Sequence, residues 1–160
     1  MIKKELLDKI NAQIAFEYVS AFIYKRMSID MAVAGWDGFA HWFHEQYHEE
    51  IGHAEDMINY VISRGEQPAI FDLKFDDLKF DGVVSYFEKA YDHEREVSKR
   101  IDEIVTLAVK EKDYATENFY RKYVDEQVEE EESVSAIVTR LQLTDSKAGH
   151  MIVDKELAAR

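Results

Sequence analysis

Along most of the chain, apolar residues recur at every third or fourth position, the spacing that turns one face of an α-helix toward a core. Four long segments carry this pattern. The first runs from about Lys4 to Ala34 and stops at Gly35; the second opens at Asp37, a candidate N-cap, and ends near Gly65. Asp81 is placed to cap a third helix reaching about Lys110, and Asp113 a fourth reaching about Leu143. A short fifth helix follows Thr144 or Asp145, at about residues 145 to 157. The joints at residues 35 to 37 and 111 to 113 are as tight as adjacent antiparallel helices require. Residues 65 to 80 are different. They contain Pro68 and the apolar series Ile70, Leu73, Phe75, Leu78 and Phe80, and at about 3.3 Å per residue they can cover roughly 50 Å. The pattern therefore predicts an all-α chain forming one domain over residues 1 to 160: a four-helix bundle at about 4 to 143, two hairpins joined by one long crossover, and a terminal helix.

The inward stripes also carry groups foreign to an apolar core. Glu17 shares its stripe with Leu6, Ile10, Gln13, Ile14, Ala21, Tyr24 and Met31, and Glu50 and His53 share theirs with Phe39, Phe43, Met57 and Tyr60. Glu94 lies with Phe87, Ala90, Val97, Ile101 and Val105, and Gln127 and Glu130 with Tyr120, Tyr123, Val134, Val138 and Leu141. Their spacing repeats. Glu17 precedes Glu50 by 33 residues, Glu94 precedes Gln127 by 33, and the two sets are offset by 77. Helical hairpins with arms of about 15 residues return to the same height after about 30 to 35, so all these groups are expected at one level of the bundle. The layout is that of di-iron carboxylate proteins, in which single Glu residues meet Glu-x-x-His pairs. The second pair, Gln127-x-x-Glu130, departs from it.

Buried carboxylates are rare unless paired or metal-bound, and four at one level repel one another. The inward stripes offer no Lys or Arg as partner, which leaves a metal cation as the compensation. Oxygen ligands with one imidazole suit iron or manganese better than a closed structural zinc site. Glu17, Glu50, Glu94 and Glu130 contribute −4, balanced by two divalent ions or by a diferric pair sharing one oxo group.

Composition narrows the classes further. There is no Cys, which removes disulfides, thiolate zinc sites, iron–sulfur clusters and cysteine nucleophiles. A net charge of −13 is the wrong sign for phosphate backbones, so no nucleic-acid partner is expected. No apolar run approaches the roughly 20 residues of a membrane span, and Met1-Ile2-Lys3-Lys4-Glu5 opens directly on a helical pattern, so a cytoplasmic protein is expected.

The whole chain resembles the bacterial non-haem ferritins. The residues that carry the resemblance are Glu17 with Tyr24, Gly38-Phe39-Ala40-His41-Trp42-Phe43, Glu49-Glu50-x-x-His53, Glu94, Glu126-Gln127-x-x-Glu130 and the closing Asp154-Lys155-Glu156-Leu157-Ala158. The resemblance implies a ferritin-like fold and a ferroxidase. Glu17, Glu50 and His53 would hold a first iron, and Glu94, Glu130 and the shared Glu50 a second, with Gln127 weakly ligating and Tyr24 touching the centre as an electron donor. Glu49, Glu126 and Glu129, with Glu130, would form a third iron site. It further implies oxidation of Fe(II) by dioxygen or hydrogen peroxide and storage of Fe(III) mineral in a 24-subunit homo-oligomeric shell. Haem is not expected, because Ile51 stands where bacterioferritins carry the haem-ligating Met after the bridging Glu. The rival readings are a small-substrate di-iron or manganese/iron oxidase and a non-catalytic acidic bundle. His41, His44 and His48 form a row opposite Glu50 that reads first as packing or solvated surface, with metal capture inside a shell as the alternative.

Overall fold

A computed structural model describes residues 1–70 and 73–159, so residues 71 and 72 of the crossover, and residue 160, lie outside the described residues. The chain forms α1 (Lys4–Val33), α2 (Asp37–Ser63), α3 (Gly82–Glu111), α4 (Tyr114–Leu143) and α5 (Lys147–Leu157). Contacts along the bundle fix the directions. Ser28 bonds the Ala40 carbonyl and Lys25 meets His44, so α1 and α2 run antiparallel; Lys9 pairs with Glu103 and Tyr86 donates to Asp30, so α1 and α3 do too. Parallel α2 and α3 therefore need a connection that returns along the bundle. It lies against α1: Glu66 accepts from the Ile2 amide, the Ala69 amide donates to Asn11, and Phe75 packs on Phe22.

Helix ends follow local chemistry. Gly35 and Gly65 take positive φ after α1 and α2, the left-handed stop that glycine adopts without strain. Asp113 caps α4 by accepting from the Thr116 amide at 3.1 Å. Arg64, at the end of α2, grips the same carboxylate through two nitrogens at 2.9 and 3.1 Å, tying α2 to the start of α4. Two expected helix starts differ. Trp36 occupies the cap of α2, with Asp37 as the first helical residue, where its charge still favours the positive helix end. α5 starts at Lys147, later than the expected residue 145, and its cap is Ser146, whose hydroxyl accepts from the Gly149 amide.

α5 crosses the start of α2. Asp154 accepts from the Phe39 amide at 2.8 Å, and a Cβ on Gly38 would lie 1.7 Å from the Asp154 carbonyl oxygen. Glycine at position 38 is thus what lets the terminal helix dock. The core falls into two apolar clusters, one around Leu6, Ile10, Ile14, Met57 and Ile101, the other around Met27, Phe39, Trp42, Phe43 and Phe87. The polar side chains predicted from the stripes sit on the helices between them.

Candidate metal centre

Four of the side chains that helical phase turns inward are fully buried: Glu17, Glu50, Glu94 and Gln127. His53 and Glu130 are half-buried. Each comes from a different helix or a different turn, and each is held by a neighbour. Gln13, one turn before Glu17, donates to Glu17 Oε1 at 2.7 Å. Gln127 Nε2 donates to Glu94 Oε2 at 3.0 Å, and the Tyr24 hydroxyl donates to Glu94 Oε1. Gln46, one turn before Glu50, donates to Glu130 Oε2 at 3.0 Å. His53 faces Glu50 through Nδ1 at 3.3 Å and Glu126 through Nε2 at 3.1 Å.

Two sets of donor atoms converge closely enough to share an ion. Glu17, Glu50 and His53 form one, and Glu49, His53 and Glu126 the other, each with donor atoms within 4.8 Å of one another. The residues expected at a first iron thus meet. Glu94 is drawn toward Tyr24 and Gln127, and Glu130 toward Gln46, and neither joins these two converging sets. Glu49 and Glu126 come together around His53, whereas Glu129 is exposed.

The electrostatics of the cluster favour a cation. No Lys or Arg is among the buried side chains of the described residues. Burial, then the charge of Glu50, raises Glu17 well above the usual carboxylate range; burial, with the charges of Glu94, Glu130 and Glu49, does the same to Glu50. Burial lifts Glu94 to about 6, checked by the hydrogen bonds from Tyr24 and Gln127. Burial would depress His53, but its bond to Glu126 and the charges of Glu17, Glu126 and Glu49 outweigh it and hold the imidazole at about 9. Tyr24 is pushed well above its ordinary value by burial and by Glu94, so it remains a proton donor. Glu17 Oε2 is buried without a hydrogen-bond partner, a lone pair that an ion would satisfy. The donor set fits hard or borderline divalent ions of the first transition row.

Comparison with known proteins identifies the family of the chain. The model of the ferritin family, described as a ferritin-like domain, matches residues 7–144. The chain belongs to the ferritin family. It is 38% identical over 160 residues to a bacterial non-heme ferritin of Bacteroides fragilis (strain 638R), with both chains fully covered. A bacterial non-heme ferritin of Escherichia coli O6:H1 is 30% identical, covering 99% of this chain and 96% of the relative. Among solved structures, an open pore ferritin from the hyperthermophilic archaeon Archaeoglobus fulgidus superposes with a TM-score of 0.96 at 38% identity, covering 99% of this chain and 98% of the other. The four-helix bundle with one long crossover expected from the stripes, and the ferritin-like fold implied by the resemblance, are the architecture observed. Iron storage is the function that goes with it, and the Glu/His cluster is where this ferritin can hold metal.

Three polar groups at the centre carried no weight in the sequence reading. Gln46 supports Glu130 and was legible as the position four residues before Glu50 on the same helical face. Gln13, seen only as a member of its stripe, orients Glu17. The Tyr120 hydroxyl, buried and without a partner, stands where the charge of Glu17 reaches it. His93 gave no sequence signal because its neighbours come from another helix: it is stacked on Phe16 and hydrogen-bonded to Ser20.

Proposed function

We propose that this ferritin is a ferroxidase that binds two Fe(II) per subunit at the four-helix centre, oxidises them, and passes Fe(III) to a mineral held within a 24-subunit shell of identical chains in the cytoplasm. The observation that carries the reading is the set of buried carboxylates with no buried Lys or Arg among the described residues to neutralise them. Glu17, Glu50 and His53 would take one iron and Glu94, Glu130 and the shared Glu50 the other, with Gln127 beside the second. Glu49 and Glu126, with Glu129 at the exposed edge, would serve as a third, transit position.

Iron binding and proton movement are coupled at this centre. Fe(II) displaces the protons that burial keeps on Glu17 and Glu50 and the proton that the surrounding carboxylates keep on His53. Two Fe(II) then give up two electrons. Dioxygen accepts them with two protons and leaves as hydrogen peroxide; peroxide, with two more electrons and two more protons, becomes two waters. The Tyr24 hydroxyl and the Gln127 amide keep Glu94 oriented through the charge change, and their bonds favour its ionised form. Four carboxylates against two divalent ions leave the centre near neutral.

Electron microscopy of protein loaded with Fe(II) in air tests the reading. Hollow shells filled with dense cores are expected. Intact protein that stays monomeric or dimeric, or shells that never acquire cores while Fe(II) is consumed, would overturn it, the second outcome favouring a small-substrate oxidase.

A further inference from the structure

The histidine row on α2 is not absorbed by the iron centre. His44 and His48 stand four residues apart, one above the other on the helix, and their Nε2 atoms face each other at 3.1 Å. Two imidazole nitrogens about 2.1 Å from a common ion lie about 3.0 Å apart at a right angle and about 3.4 Å apart at the tetrahedral angle. The observed separation falls between these, so both rings already hold the spacing of adjacent ligands without any change of rotamer. The rings are also fixed from outside: Tyr47 packs against both, with centroids 6.0 Å from His44 and 4.9 Å from His48. His44 is half-buried and His48 exposed, so the pair opens to solvent on one side, leaving room for water to complete a coordination sphere.

We propose that His44 and His48 form a second metal site, a chelate for a late first-row divalent ion, Cu(II) above Zn(II), that is distinct from the carboxylate centre. Two imidazoles without carboxylates favour these ions over Fe(II), which follows the general order of affinities for nitrogen sites. The two sites then divide ions by ligand chemistry, oxygen-rich inside the bundle and nitrogen-only on this face of α2. His44 suits the role because burial, then the charge of Lys25 and of His48, lowers its affinity for protons and keeps the imidazole neutral. Among the other groups that act on it, Glu45 favours a cation and His41 opposes one.

Lys25 on α1 controls access. Its ammonium lies 3.3 Å from His44 Nδ1, and while it donates there the ring must carry its proton on Nε2, the atom that an ion needs. Binding requires Lys25 to withdraw so that the proton can move to Nδ1. The Tyr47 ring, with its centroid 5.3 Å from Lys25 Nζ, offers that ammonium an alternative partner.

The test is electron paramagnetic resonance of the assembled, iron-free protein titrated with Cu(II) alone. The carboxylate centre has a single imidazole, His53, so hyperfine splitting from two equivalent nitrogens reports the new site. Wild type is expected to give the two-nitrogen pattern, His44→Gln and His48→Gln each to lose it, and Lys25→Met to develop it at lower Cu(II). Absence of the pattern in wild type overturns the proposal, as does its persistence in His48→Gln, which would move the ion to other histidines. If either histidine variant fails to assemble, wild type against Lys25→Met still decides, and unchanged affinity in the latter overturns the gating. Fe(II) oxidation in the histidine variants is expected to keep its wild-type amplitude, since neither side chain touches the iron centre.

Discussion

Replacing Glu94 with Gln should make the metal-free protein more stable at pH 8 and leave it nearly unchanged at pH 4, below the ordinary carboxyl value. Glu94 is fully buried, and burial raises its carboxyl to about 6 from the ordinary 4.5. A carboxyl with a raised folded-state value contributes fully below the unfolded value and loses that contribution as pH rises through the folded one. The window therefore runs from about 4.5 to above 6. That rise corresponds to about 2 kcal/mol, at about 1.4 kcal/mol for each tenfold change in proton affinity. For a chain of this size that is about 4 to 8 °C in the thermal midpoint. Gln keeps the shape, can accept from Tyr24 or Gln127 through its oxygen, and never ionises. The assay is thermal unfolding of both proteins in chelator at pH 4 and pH 8, followed by circular dichroism. Adding Zn(II) should reverse the order at pH 8, because wild type gains a ligand-bound native state that the variant binds less well. Equal midpoints at pH 8, or a less stable variant there without metal, would refute the claim that burial penalises the ionised Glu94 carboxylate.

Glu50→Ala combined with His53→Ala should abolish the fast phase of Fe(II) oxidation in stopped flow while retaining helical content; an unchanged amplitude would remove these residues from the centre. Tyr24→Phe deletes a donor to Glu94, and since hydrogen bonds to charged groups are worth about 1.5 to 3 kcal/mol, the pH of half-maximal metal binding should rise by about one unit or more. A pH profile that does not move would mean that the hydroxyl does not support the ionised carboxylate. His53→Gln should flatten the stability of metal-free protein between pH 6.5 and about 9, because an imidazole held at about 9 stabilises below 6.5 and loses that contribution as pH rises through 9. Gly38→Val should drive α5 off α2 through the Asp154 carbonyl, costing about 2 kcal/mol or more and yielding smaller particles in light scattering.

The helices were legible because the stripes are long and the breakers few. Gly35, Gly65 and Asp113 end or begin elements where their local chemistry demands it. The centre was legible for a related reason: a carboxylate on an apolar stripe has few physical explanations, and Glu17, Glu50 and Glu94 repeat the anomaly at matched heights. What periodicity cannot supply is the partner across the bundle. That Gln46 turns to Glu130, that Glu126 reaches His53, and that His93 packs on Phe16 depend on the rotation of one helix against another, which a single stripe leaves free. The cap of α2 was misplaced by one residue because Asp is favourable both as a cap and in the first turn. The histidine row shows the same limit: its spacing was visible, but the Lys25 and Tyr47 side chains that give it chemical meaning come from packing against α1 and from ring contacts along α2.

Anomalous diffraction at the iron edge, from crystals equilibrated with Fe(II) without oxygen, tests the central claim most directly. Two peaks about 3.5 to 4 Å apart, the usual separation in two-metal sites, are predicted inside the bundle, one among Glu17, Glu50 and His53 and one between Glu50, Glu94 and Glu130. Iron found only on the surface, with no peak among these carboxylates, would contradict it.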